Sequence, residues 1–304
     1  MAFTMHSHSG QFCPGHAVDS LEDIIQHAIS LGFETFGLTE HMPRYDERDL
    51  YPEEKTDSTT PQTSLQLLPP RHEAYLSEAL RLREKYRPKI QLLLGFEAEF
   101  IRQDYAPRVL ELASDPRVDY FIGSVHHVHG IPIDYDAAFY ADAVAASDGN
   151  DEQGLYRDYY DLQFEMLRAL RPRVVGHFDL VRLLSADPGR DVSTWPAVWD
   201  RIVRNLQLIA SQGGWLECNT AALRKGLDEP YPCRVIAQKW LSIGGKFTMS
   251  DDSHGIAQVA TNYARGISYL QSLGVESVWT LDRQQDATLR EKSVALTEFR
   301  KHFP

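Results

Sequence analysis

The chain has 304 residues, 43% hydrophobic and 24% charged, which is enough for a sizeable buried core and ordinary for a globular protein. Acidic residues outnumber basic ones by 43 to 31, a net charge of −12, which speaks against a general nucleic-acid binder but not against an anionic substrate, because bound cations can reverse the local field. No stretch of about 18 apolar residues offers a membrane span, residues 1–8 lack the pattern of a secretory leader, and Cys13, Cys218 and Cys233 are too scattered for a disulfide framework, so a reducing cytoplasm is the expected setting.

Short apolar runs alternate with amphipathic stretches, which predicts βα units. A first strand is predicted near Ala2–Met5. A helix follows: Asp19 or Ser20 caps it, Leu21, Ile24, Ile25, Ala28 and Ile29 form one stripe, and Gly32 stops it. Next come a strand at Thr35–Thr39, a helix at Arg71–Tyr86, strands at Ile90–Gly95 and Tyr120–Val125, a helix at Leu155–Leu170 and a strand at Arg173–Gly176. A helix bearing Val198, Ile202, Leu206 and Ile209 on one face ends before Gly213. Strands at Trp215–Cys218 and Lys246–Met249 then alternate with helices at Tyr231–Ile243 and Gln258–Leu273. An eighth apolar run, Val278–Leu281, closes or flanks the sheet. Two stretches are expected to be loop insertions: 43–70, rich in charge, Thr, Ser and Pro, and 134–154, acidic and Ala-rich. With no linker and no repeat, one domain over 1–304 is expected.

The twelve histidines are informative by position. His6 and His8 follow the first strand, Glu40 and His41 the second, Glu97 the third, His126 the fourth and His177 the fifth. Asn219 follows the sixth, and Asp252 and His254 the seventh. In a parallel βα barrel every strand C-terminus opens onto one face, and that face carries the active site. Seven separate segments would then aim at one point. His6-Ser7-His8 places both imidazoles on one face of a strand, because side chains alternate; Asp252-Ser253-His254 has the same spacing. A lone His after an apolar run, such as His177, is more often a hydrogen-bonded structural residue, and only the recurrence at strand after strand favours ligands. Imidazole and carboxylate without converging thiolates suit Zn, Fe or Mn. Glu97 could bridge two ions, and so many donors exceed one coordination shell, which implies two or three divalent ions.

The ordered elements His6-Ser7-His8, His16, Thr39-Glu40-His41, Gly95-Phe96-Glu97, Ser124-Val125-His126, Gly176-His177 and Asp252-Ser253-His254 resemble the polymerase-and-histidinol-phosphatase (PHP) family over about residues 1–260. The stretches 13–17, 176–182 and 219–225 are most similar to its monofunctional histidinol-phosphate phosphatases. The resemblance implies an α/β fold, a distorted (β/α)7 TIM-like barrel of the PHP type, with a trinuclear metal cluster. It also implies hydrolysis of L-histidinol phosphate to L-histidinol and phosphate, a step of histidine biosynthesis. The implied metal ligands are His6, His8, His16, His41, Glu97, His126, His177, Asp252 and His254. Glu40 stands where the family often has Asp. Asp251 and His127 flank the motifs as partners that could orient ligands.

Hydrolysis of a phosphate ester needs a nucleophile, neutralised phosphoryl oxygens and help for the leaving alkoxide. A hydroxide bridging two ions is the expected nucleophile toward phosphorus. Asp252, His254 and Glu97 are the catalytic candidates, with the leaving-group acid left open between Asp252, His254 and a water on the metal. Arg182, Arg224 and Lys225 are candidates for phosphate, since Arg offers a two-pronged match; for Lys225 a solvated surface charge is an equal alternative. Glu40, Asp179 or acids of 43–70 could meet a substrate amino group. The expected partner is thus a small phosphorylated substrate, with neither nucleic acid nor membrane. Three rivals stay open. One is another PHP-type phosphoesterase for small molecules or nucleotides, including a polymerase-associated exonuclease. Another is an amidohydrolase-type barrel, which would need a carboxylated lysine at a strand end. The last is a metal-free barrel acting as a binding protein.

Overall fold

A computed structural model describes residues 1–56 and 60–303. Strands β1 (Ala2–Thr4), β2 (Phe33–Leu38), β3 (Gln91–Glu99), β4 (Tyr120–Ser124), β5 (Val174–Val175), β6 (Trp215–Asn219) and β7 (Lys246–Ser250) lie side by side in chain order. All their pairings are parallel. The sheet curls until its edges meet: Met5 N–H donates to Met249 O at 3.1 Å and His8 N–H to Ser253 O at 2.8 Å. The result is the expected α/β architecture, a nearly closed seven-stranded parallel barrel.

Helices α1 (Leu21–Ser30), α2 (Pro61–Tyr86), α3 (Ala106–Ala113), α4 (Glu152–Leu170), α5 (Pro196–Gln212), α6 (Arg234–Ser242) and α7 (Tyr263–Ser272) follow the seven strands in turn. Local chemistry sets their ends. Ser20 accepts from Asp23 N–H at the start of α1, which buries Leu21, Ile24, Ile25 and Ala28. Gly213, at φ 73°, ends α5, which buries Val198, Ile202, Leu206 and Ile209. The approach of β4 to β5 requires glycine just before His177: a Cβ on Gly176 would lie 2.5 Å from Ser124 Oγ and 2.8 Å from Ile122 Cγ2. Among the described residues, no helix is long and apolar enough to cross a membrane.

The structure corrects two expectations. The stretch 43–70 is not loop throughout: it holds a short helix, Pro52–Thr56, and the first ten residues of α2, while residues 57–59 lie outside the described residues. Thr60 caps α2 by accepting from Thr63 N–H, and Pro61 occupies the first turn, where its missing N–H is not needed. Pro69 and Pro70 sit inside that helix, against the rule that proline ends one. The stretch 134–154 likewise contains a helix, Ala137–Ala146, capped by Asp136. Of the two places open to Val278–Leu281, closing the sheet or flanking it, the second holds: the run lies in an antiparallel hairpin, Ser277–Arg283 with Leu289–Ala295, outside the barrel sheet. That hairpin covers the N-terminal mouth of the barrel. Gln91, the first residue of β3, donates to Leu281 O at 2.9 Å and accepts from Arg283 N–H at 2.7 Å. The opposite mouth remains for chemistry.

Candidate metal centre

Strand β3 runs beyond its expected end, so Glu97 lies within it, facing the C-terminal mouth. His6 Nε2 lies 3.3 Å from Glu97 Oε2 and 3.5 Å from Asp252 Oδ1; His8 Nε2 lies 3.5 Å and 3.3 Å from the same two oxygens. Bonds of about 2.0–2.2 Å to a tetrahedral ion set adjacent donor atoms about 3.3 Å apart. His6, His8 and Glu97 are therefore spaced to share one ion, with an oxygen of Asp252 beside both rings. The other oxygen of Glu97 serves a second group. Its Oε1 is 2.9 Å from His177 Nε2 and 3.3 Å from His126 Nε2, and those two ring nitrogens are 3.1 Å apart. A third group brings ligand atoms of His8, His41 and His254 within 4.8 Å of one another, and a fourth does the same for His41, Glu97 and Glu99. His16 stands at the rim. Its ring centroid is 4.6 Å from that of His254 and 5.3 Å from that of His41, but it is exposed and its Nδ1 lies 3.2 Å from Glu53 Oε1.

These residues fit divalent cations. His6 Nε2, both ring nitrogens of His8, His41 Nδ1 and His177 Nδ1 are buried without a hydrogen-bond partner among the described residues. Each such atom costs about 1–3 kcal/mol unless something satisfies it, and several converge on carboxylate oxygens. Burial would raise the carboxyls of Glu97 and Asp252, yet the neighbouring histidines, His6 foremost, hold both well below the usual carboxylate range. Burial, with His41 and His6 beside it, pushes His8 down to about 3, which keeps its ring neutral with one nitrogen lone pair available. Burial opposes protonation of His6, but Asp252, Glu217 and Glu97 raise it well above the usual histidine value. The site attracts positive charge, from a proton or from a metal. Asp252 carries its carboxylate on a backbone at φ 49°, a left-handed conformation that strains a non-glycine residue.

A second set of groups fixes the rings. His6 Nδ1–H donates to Glu217 Oε1 at 2.9 Å, His126 Nδ1–H to Glu99 Oε2 at 2.8 Å, and His254 Nδ1–H to the Asp252 carbonyl at 2.9 Å. Each bond turns the other nitrogen of that ring toward the centre. Arg44, fully buried, lies 3.0 Å from Glu99 Oε1 and neutralises it. The sequence reading missed Glu99, Glu217 and Arg44. A signal existed for the two acids, because each sits two residues from a named strand-end residue, Glu97 or Asn219, and so shares its face. Asp251 and His127 do not orient any ligand ring. Asp251 accepts from Ser253 and Ala260 N–H, and the His127 ring packs 5.1 Å from Tyr51.

A cavity of about 350 Å³ opens over the cluster. Glu40, Arg224 and Lys225 line it. Glu40 is buried; its Oε1 accepts from Ser9 N–H at 2.9 Å, its Oε2 has no hydrogen-bond partner among the described residues, and burial pushes its carboxyl up to about 7. Arg224 donates to the Asp252 carbonyl at 2.9 Å, leaving its Nε without a partner among the described residues. Arg182 is a correction. Its guanidinium is buried under the loop, donating to Asp179 at 2.8 Å and to the carbonyls of Glu229 and Pro230 at 2.9 Å, with Tyr231 below it. Neither Arg182 nor Asp179 lines this cavity; they neutralise each other inside the protein.

A parallel barrel whose strand ends bring imidazoles and carboxylates to ion spacing defines a metal-binding barrel of the hydrolase class. The family model described as PHP domain matches residues 4–221, and the chain belongs to the PHP family. It is 40% identical over 287 residues to the Schizosaccharomyces pombe protein named "Probable histidinol-phosphatase", covering 94% of this chain and 91% of that one. It is 34% identical over 325 residues to the histidinol-phosphatase of Saccharomyces cerevisiae, covering 97% and 96%. Its fold matches the histidinol phosphate phosphatase of Lactococcus lactis, solved with Zn, L-histidinol and phosphate, at a TM-score of 0.67 and 18% identity, covering 92% of this chain and 96% of that one.

Proposed function

We propose that this chain hydrolyses L-histidinol phosphate to L-histidinol and phosphate in the cytoplasm, working as one barrel unit over its whole length. The observation that carries the reading is Glu97, whose two oxygens face two separate donor groups at ion spacing. The substrate follows from near full-length similarity to relatives of that name. His6, His8, Glu97 and Asp252 would hold one divalent ion, and Glu97, His126 and His177 a second. His16, His41 and His254 would hold a third, with Zn, Fe or Mn suited to this donor set. Bound there, such ions supply Lewis acidity toward phosphoryl oxygen and water.

The chain's own groups do the rest. Glu217 and Glu99 keep the rings of His6 and His126 in the tautomer that leaves Nε2 facing inward. Arg224 and Lys225 meet phosphate oxygens beside Asp252, where the free Nε of Arg224 adds a charged donor. Glu40 Oε2 accepts from the substrate's amino group next to the phosphate. The proton for the leaving alkoxide would come from water in the cavity, since Asp252 is held ionised and the His254 N–H donates to the Asp252 carbonyl. The test is phosphate release from L-histidinol phosphate, beside a panel of other phosphomonoesters, with Mn²⁺ or Zn²⁺ and after chelation. A strong, metal-dependent preference for histidinol phosphate is expected. Turnover of the panel alone would keep the centre and discard the substrate.

A further inference from the structure

The fourth donor group, His41, Glu97 and Glu99, differs from the other three. His41 Nδ1 lies 3.0 Å from Glu97 Oε2 and also 3.0 Å from Glu99 Oε1. Two buried carboxylates on one face of β3 thus stand equally close to one ring nitrogen. By spacing alone, Glu99 would serve an ion as well as Glu97 does. A cation already stands beside it: Arg44 Nη2 lies 3.0 Å from the same Glu99 oxygen, and a guanidinium keeps its charge. The Arg44 side chain is 1% exposed and held on its other sides. Its Nη1 donates to the Met42 carbonyl at 2.7 Å, the guanidinium lies 5.1 Å over the Tyr51 ring, and Nε is 3.7 Å from Glu54 Oε2. The second oxygen of Glu99 accepts from His126 Nδ1–H. No such cation faces Glu97 among the described residues, whose two oxygens meet ring nitrogens.

We infer that Arg44 is a resident cation that withholds Glu99 from the metal ions. The bridge is thereby left to Glu97, and Glu99 is confined to orienting the His126 ring. A buried carboxylate needs a compensating charge, and a buried arginine beside a group built for divalent cations is costly unless a partner requires it. Paired with the guanidinium, Glu99 offers an ion no net charge. Without Arg44, its Oε1 would have the spacing of a ligand, since bonds of about 2.0–2.2 Å set adjacent donors of a tetrahedral ion about 3.3 Å apart. Arg44 is a positioning residue, acting on the ions through Glu99. The inference rests on the proposed metal centre and does not depend on the substrate.

The test uses the full chain and Zn²⁺ alone, with retained Zn²⁺ per chain read by elemental analysis against a graded chelator. R44M should hold its weakest ion about tenfold tighter than wild type, or hold one ion more, a change on the scale of those made beside a ligand. R44K, which keeps the charge, should behave as wild type. Lost repulsion alone would also tighten binding, so the same substitution is made in E99D. That carboxylate keeps its charge but is one methylene too short to reach the ion at His41, and R44M should then bring no gain over E99D alone. No gain in R44M, an equal gain in R44K, or equal gains in both backgrounds overturns the inference. R44Q, neutral and able to keep the bond to Met42, is the second variant if R44M melts early. If neither folds without metal, folding restored by Zn²⁺ supports the inference, and failure of both to fold in Zn²⁺ overturns it. If wild type hydrolyses histidinol phosphate and R44M gains nothing, the function stands and the role of Arg44 falls. If the gain depends on Glu99 but wild type releases no phosphate from histidinol phosphate, the role of Arg44 stands and the proposed function falls.

Discussion

Glu217 Oε1 and His6 Nδ1 lie 2.9 Å apart although 211 residues separate them. The second oxygen of the same carboxylate accepts from the backbone N–H of His177 at 3.0 Å and from Asn219 Nδ2 at 3.1 Å. One buried acid thus sets a ring of the first donor group and the strand end that carries the second. Removing its charge while keeping its shape, as in E217Q, should weaken metal binding about 10–100-fold, the usual effect of losing an orienting partner. Chelator competition measures this directly. Undiminished affinity in a folded variant would show that Glu217 is structural only.

The double use of Glu97 makes a sharper prediction. His6 and His8 face one of its oxygens, His126 and His177 the other. In E97A both groups lose their shared donor, so metal content and phosphate release should both collapse. H177A should leave the first group intact and lose less metal. Elemental analysis of the purified proteins separates the two cases, and equal losses in both variants would argue against bridging.

Most of the centre was legible because two rules combine: residues at strand ends of a parallel barrel converge, and a His-x-His or Asp-x-His spacing keeps both groups on one face. Those rules located His6, His8, Glu97, His126, His177 and Asp252 with no knowledge of their contacts. They could not reveal partnerships. Arg182 follows a strand-end histidine and looked free to meet phosphate, but Asp179, three residues earlier, takes its Nε at 2.8 Å. Whether an arginine is already spent inside the protein depends on the third dimension. Glu99 and Glu217 obeyed the spacing rule, yet a carboxylate behind a ring looks in sequence like any buried acid. The start of α2 was hidden by Pro69 and Pro70, which normally end a helix.

Arg224 and Arg182 should therefore respond oppositely to truncation. R224A removes a cation that lines the cavity, so KM for histidinol phosphate should rise, with little change in melting temperature. R182A leaves the Asp179 carboxylate buried and uncompensated, at a cost of about 3–5 kcal/mol, while KM of the surviving folded enzyme should hold. Paired melting curves and Michaelis plots decide this. A raised KM in R182A at normal stability would return that residue to the site.

His72 also makes stability depend on pH, with a defined sign. Burial dominates and lowers its pKa from 6.5 to about 4, with Glu73 and Asp115 working upward and Arg117 downward. The folded chain thus binds this proton less readily than the unfolded chain. The contribution is fully present above pH 6.5 and is lost as pH falls from 6.5 toward 4, by at most about 1.4 kcal/mol per pH unit. H72Q has no such proton to exclude. The difference in unfolding free energy between wild type and H72Q, measured with denaturant on chelated protein, should be constant above pH 7. Between pH 6.5 and 5 it should shift against wild type. A difference that stays flat through that window would mean the His72 ring takes up its proton as easily folded as unfolded, and so is not held neutral by its burial.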